Sequence, residues 1–146
     1  MQVSASTAVF ALTASKDGVR DGLHQLRHFL DASGLSQDAC GTAEIVLAEA
    51  LNNIAEHAYD LSGTGKIVVT LQVEPDGTQI EIVDYGAALP GFTLPDGRLP
   101  SLDRSKDALP EGGFGWFLIR SQTDELNYHR RNGCNHLHMH IAHQEE

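Results

Sequence analysis

Extended segments in this sequence come in consecutive pairs joined by tight turns, and that pattern restricts the fold more than any other feature. Lys66-Ile-Val-Val-Thr-Leu-Gln-Val73 and Thr78-Gln-Ile-Glu-Ile-Val-Asp84 flank the turn Glu74-Pro-Asp-Gly77. Asp124 to Arg131 and Asn135 to Ile141 flank Asn132-Gly133, closing a second hairpin. A first strand is predicted over Ser6-Thr-Ala-Val-Phe-Ala-Leu-Thr13. Between these lie helical patterns. Asp17 to Ser33 carries Val19, Leu23, Leu26, Phe29 and Leu30 at helical spacing, with Gly34 as a C-terminal stop. A second helix is predicted from about Ser36, its N-cap, to Tyr59, and a short third one from Gly113 to Gln122. The order β-α-α-β-β-loop-α-β-β predicts an α+β fold, a two-layer sandwich with helices on one face of a mostly antiparallel sheet. There is no internal repeat or low-complexity tract, so one domain is expected over 1–146, long enough to bury roughly 70% of its unfolded surface.

The second helix carries the most chemistry. In Glu44-Ile-Val-Leu-Ala-Glu-Ala-Leu-Asn-Asn-Ile-Ala-Glu-His57, residues Val46, Leu47, Ala50, Leu51, Ile54 and Ala58 fill one apolar arc. Glu49, Asn53 and His57 form a Glu-x-x-x-Asn-x-x-x-His ladder in a neighbouring arc of roughly 80°. A carboxylate, an amide and an imidazole are thereby placed along the edge of a buried face, a suitable line for handling a metal-bound phosphate. The bland reading of Glu49 alone is a solvated carboxylate at the border of the core.

Two further blocks follow. Val83-Asp-Tyr-Gly-Ala-Ala-Leu89 places an acid at a strand end before a glycine, and Gly112-Gly-Phe-Gly-Trp-Phe-Leu-Ile119 opens a helix with glycines. Each alone is weak, since Asp-x-Gly is commonly a turn and Gly-x-Gly a permissive bend. Between them, residues 86–112 hold Pro90, Pro95, Pro100 and Pro110, a density that suggests a functional lid.

In this order the blocks resemble the gyrase/histidine-kinase ATPase superfamily, the Bergerat fold. They look most like its small bacterial branch, the anti-sigma-factor serine-protein kinases. The resemblance runs from about Ser6 to Ile141. Glu49-Ala-Leu-Asn-Asn-Ile-Ala-Glu-His-Ala-Tyr59 is similar to that branch's N box, and Pro110-Glu-Gly-Gly-Phe-Gly-Trp-Phe-Leu-Ile-Arg120 to its second glycine box. The resemblance implies ATP and Mg²⁺ as cofactors. Asn53 would give one amide oxygen to Mg²⁺, which keeps several waters and takes few protein ligands; Asn52 would point away. Glu49 would be the general base for an attacking hydroxyl. Asp84 would accept from the adenine amino group, with Gly86 letting the backbone pass close to the base. Gly112, Gly113 and Gly115 would cradle phosphates at a helix N-terminus. His57 falls either near the phosphates or at the helix end as a cap. Ala88 stands where a second glycine is common and would stiffen the lid hinge. Asn135 takes a polar position that often reaches adenine through water, Cys134 stands where glycine is common, and Trp116 replaces a more usual leucine.

Composition bounds the rest. A formal charge of −10 argues against nucleic acid or an anionic membrane as partner. No apolar run approaches a membrane span and Met1-Gln-Val-Ser lacks the basic start of a signal peptide, so a cytoplasmic protein is expected. Cys40 and Cys134 have no motif spacing and read as reduced thiols. His136, His138 and His140 alternate onto one strand face, as either a zinc site or, more simply, a polar outer face; Arg130 and Arg131 read as surface charges. The expected function is an ATP- and Mg²⁺-dependent serine/threonine protein kinase of anti-sigma type. It would phosphorylate an anti-sigma-factor antagonist and hold a sigma factor, or an equivalent regulator, in a partner-switching cycle, with room for a homodimer. The alternative is a nucleotide-gated protein-binding module without kinase activity. A histidine-kinase catalytic domain would need a helical phosphoacceptor domain, for which no stretch of this sequence remains.

Overall fold

The computed structural model describes residues 5–58, 65–94 and 113–143. Five strands form one antiparallel sheet: β1 (Ser6–Thr13), β2 (Lys66–Glu74), β3 (Gly77–Asp84), β4 (Glu125–Arg131) and β5 (Cys134–Ala142), in spatial order β1-β2-β3-β5-β4. Both predicted hairpins are present, with register Glu74↔Gly77 and Arg131↔Cys134 at their turns. Asn132 and Gly133 have φ of 53° and 78°, the left-handed pair that a two-residue turn between twisted strands requires. That turn sets β4 against β5 residue by residue, and so decides what faces Asn135.

Three helices cover one face of the sheet: α1 (Lys16–Ala32), α2 (Gln37–Asn53) and α3 (Gly113–Gln122). Ser15 Oγ accepts from the Gly18 N–H at 2.9 Å, and Ser36 Oγ from the Ala39 N–H at 3.1 Å. Each cap satisfies an amide the helix itself leaves free, worth about 1 kcal/mol. Gly34, at φ 86°, turns the chain out of α1 and into α2. Alternate strand residues (Ile67, Val69 and Leu71; Ile80 and Ile82; Leu137 and Met139) meet Leu26, Leu30, Leu47, Leu51 and Ile119 from the helices in one core. Truncating a fully buried member such as Leu47 to alanine costs about 2–5 kcal/mol through lost contacts and the cavity left behind.

The predicted second helix ends differently. Regular α-helix stops at Asn53 and continues as a π-helical turn over Ile54–Ala58. A π turn is wider than an α turn, so its side chains follow a different angular spacing from those of α2. Of the long loop at 86–112, residues 86–94 are described. Pro90–Phe92 makes a short 3₁₀ turn with Gly91 at φ 66°, and Leu94 packs on the core. Residues 95–112, with the candidate Gly112, lie outside the described residues, as does Tyr59.

The opposite face of the sheet is polar on β5, where His136, His138 and His140 alternate with buried Leu137, Met139 and Ile141. His136 stacks on His129 with ring centroids 4.7 Å apart and sits 3.7 Å from Glu81, while His140 Nδ1 is 2.6 Å from Asp124. Cys40 and Cys134 are both free thiols. No described helix is long and apolar enough to cross a membrane.

Candidate functional site

Two groups of the expected site residues assemble in the fold. The first lies where α3 crosses α2. Glu49 and Asn53 are one α-helical turn apart on α2, and the opening turn of α3 brings Gly115 against both. A Cβ built on Gly115 would fall 2.8 Å from Glu49 Oε2 and 3.4 Å from Asn53 Nδ2. The first distance is closer than real Cβ contacts and the second is at the edge of ordinary van der Waals contact, so a side chain at 115 would make the Glu49 carboxylate move. Asn53 is 8% exposed, and its Nδ2 is buried with no hydrogen-bond partner among the described residues. An unsatisfied buried amide costs about 1–3 kcal/mol, which makes it conspicuous in a fold that satisfies most of its polar groups. Asn52, its neighbour, points to solvent.

His57 lies within the π turn that follows Asn53; its side chain is 59% exposed, with its Nε2 4.0 Å from Glu56 Oε2.

The second group surrounds Asp84 at the end of β3. Asp84 is 2% exposed and lies directly opposite Asn135 on β5. Its Oδ1 accepts from Asn135 Nδ2 at 2.8 Å and from the Gly86 N–H at 2.9 Å. Burial raises the Asp84 carboxyl above the ordinary carboxylate range, and the Asn135 and Gly86 hydrogen bonds, with the charges of Arg130 and of His136 when protonated, work against that rise. Arg130, read from sequence as a surface charge, is half-buried instead and donates from Nη1 to the Gly86 carbonyl at 2.6 Å. Tyr128 OH donates to Asn135 Oδ1 at 2.6 Å and accepts from the Leu89 N–H at 3.1 Å. Ala88 sits in the main chain so held, between Ala87 and Leu89.

Residues 12–141 match the family described as the histidine kinase-like ATPase domain. The chain belongs to that family. Over 135 residues it is 32% identical to the serine/threonine-protein kinase BtrW of Bordetella bronchiseptica, covering 92% of this chain and 93% of the relative. It is also 32% identical over 103 residues to the serine-protein kinase RsbW of Staphylococcus aureus, covering 69% of this chain and 65% of that one. A crystal structure of the RsbU and RsbW domains of a Mycobacterium tuberculosis protein superimposes with a TM-score of 0.62 over 97% of this chain and 34% of the other, at 14% identity. That likeness is one of fold.

For this histidine kinase-like ATPase domain, the residues that sequence reasoning passed over are Tyr128 and Arg130. A signal for them existed. The Asn132-Gly133 turn pairs Arg130 with Asn135, and strand alternation puts Tyr128 and Arg130 on the face opposite His129. Gly113 opens α3 as expected from the glycine block.

Proposed function

We propose that this protein transfers the γ-phosphoryl group of ATP to a serine or threonine hydroxyl of an anti-sigma-factor antagonist protein. In the same partner-switching cycle it would hold a sigma factor or an equivalent regulator. The observation that carries the reading is the seat of Gly115 against Glu49 and Asn53. It brings the amide-lined opening of a ten-residue helix to a carboxylate and an unsatisfied amide. Likeness to two relatives named as serine or serine/threonine protein kinases supports the choice of acceptor.

The residues fit the nucleotide and its metal. Asn53 offers a neutral amide oxygen that adds no negative charge beside a polyphosphate, and its buried Nδ2, without a partner among the described residues, is an N–H donor that would suit a phosphate oxygen. Asn53 would hold Mg²⁺, whose chemistry is to neutralise charge on the phosphate oxygens. The Gly113 and Gly115 N–H groups would donate to those oxygens with the positive end of the α3 dipole behind them. That local field matters in a chain of formal charge −10. Asp84, with both described hydrogen bonds on Oδ1, keeps Oδ2 to accept from the adenine amino group. Glu49 would take the proton of the acceptor hydroxyl as its oxygen forms the new P–O bond and ADP leaves with the electrons of the broken one. His57, on the π turn that follows Asn53, would lie near the phosphates or cap the helix end. We take 1–146 as one domain working in the cytoplasm, with a lid at about 86–112.

The test is transfer of label from radioactive ATP, with Mg²⁺, to antagonist protein copurified from the native cell. Label on serine or threonine is the expected result. Calorimetry with no heat for ATP or ADP would remove the nucleotide reading altogether. Nucleotide binding without transfer to any bound partner would leave a nucleotide-gated binding module in its place.

A further inference from the structure

We propose that Tyr128 and Arg130 are positioning residues that set base selectivity, by clamping the Asn135 amide and the 86–89 main chain around Asp84; this rests on the nucleotide reading above. A carboxamide has two N–H donors and two acceptor lone pairs. Asn135 uses all four. Nδ2 donates to Asp84 Oδ1 at 2.8 Å and to the Ala87 carbonyl at 2.9 Å. Oδ1 accepts from Tyr128 OH at 2.6 Å and from Arg130 Nη1 at 3.1 Å. The two ends of a carboxamide have nearly the same shape, so its neighbours' chemistry decides which way it faces. Turned over, Asn135 would set its oxygen against a carboxylate and a carbonyl, and its NH₂ against a guanidinium. Tyr128 and Arg130 at one end of the amide, with Asp84 and the Ala87 carbonyl at the other, commit Nδ2 to Asp84.

The same two side chains hold the chain that leaves β3. Arg130 donates to the Gly86 carbonyl at 2.6 Å, and Tyr128 accepts from the Leu89 N–H at 3.1 Å. With Asn135 on Ala87 and Asp84 on the Gly86 N–H, the main chain is tied at three of the four positions from 86 to 89. Asp84 is thus fixed in direction. Its Oδ1 is occupied by two donors, which leaves Oδ2 as an acceptor at a set place. An acceptor there suits the amino group adenine carries at C6 and opposes the carbonyl guanine carries at the same position. Without the clamp, the Asn135 oxygen loses its donors and the amide is held through Nδ2 alone. A buried Asp84 beside a loosened donor then takes up a proton more readily and presents an O–H that guanine's carbonyl accepts.

The test compares wild type with Tyr128→Phe, Arg130→Met and Arg130→Lys. ADP and GDP affinities are measured by calorimetry, and amide exchange at Leu89 is measured in nucleotide-free protein. Tyr128→Phe and Arg130→Met should each weaken ADP about tenfold and leave GDP within about threefold, narrowing the selectivity ratio. Arg130→Lys, which keeps a charged donor for the Gly86 carbonyl, should recover part of that ratio. Leu89 exchange should quicken in Tyr128→Phe. ADP and GDP weakened in equal proportion would mean general loosening of the hairpin and would overturn the inference, as would an unchanged Leu89 rate. Wild type that binds neither nucleotide would defeat the nucleotide reading first, and the selectivity claim with it.

Discussion

The Glu49 carboxylate stands where a side chain on Gly115 would be: a Cβ there would lie 2.8 Å from Oε2. This contact joins two blocks that are 66 residues apart in sequence (115 − 49) and belong to different helices. Alanine at 115 would gain up to about 1 kcal/mol in helix propensity while pushing the Glu49 carboxylate off its place. Gly115→Ala should therefore leave the melting temperature within a few degrees and still cut phosphoryl transfer by about tenfold or more. Thermal unfolding beside a transfer assay checks it; full activity with a raised melting temperature would mean the contact yields freely.

Glu49→Gln keeps the shape and most of the hydrogen bonding of that side chain but cannot take a proton. Transfer to the antagonist should fall about 10²–10⁴-fold, while ADP affinity changes little. Radiolabel transfer and calorimetry on the same preparations separate the two effects. Equal turnover by wild type and variant would rule out Glu49 as the base.

Asn53 is expected to trade stability for function. Its buried Nδ2 has no partner among the described residues, so an apolar side chain of similar size removes an unsatisfied group. Asn53→Leu should stabilise the nucleotide-free protein by about 1 kcal/mol. The same change should abolish the gain in ATP affinity that Mg²⁺ confers. Denaturant titration without nucleotide, and ATP binding with and without Mg²⁺, read the two halves independently.

Asp84 gives opposite pH signatures in stability and in binding. Its carboxyl is raised in the fold by burial, so the ionised form costs stability above the folded pKa. That cost disappears as pH falls through the folded pKa toward the unfolded value of about 3.9. As pH falls from neutral toward that unfolded value, wild type should therefore gain stability relative to Asp84→Asn. Over the same range its ADP affinity should fall faster than the variant's, because protonation removes the acceptor. Parallel pH profiles for the two proteins, in both assays, would show that Asp84 does not titrate there.

Much of this architecture was legible in the sequence, because its determinants are local. Side-chain alternation marked β2, β3 and β5 with their inner faces, Asn132-Gly133 required a tight hairpin, and Ser36 offered the hydroxyl that caps α2. Backbone preferences and capping act over a few residues, so they survive in a linear reading. What lay beyond that reach depended on packing. α-Helical spacing carried the second helix regularly through to Tyr59, but the regular α-helix stops at Asn53 and a π turn over Ile54–Ala58 follows. Arg130 looked like one more surface charge until the register of β4 on β5 set it beside Asn135 and the Gly86 carbonyl. Only the seating of α3 on α2 placed Gly115 against Glu49, and only the pairing of β3 with β5 placed Asn135 against Asp84. Both are contacts between residues far apart in the chain, and the geometry that creates them comes from the shared core rather than from any local preference.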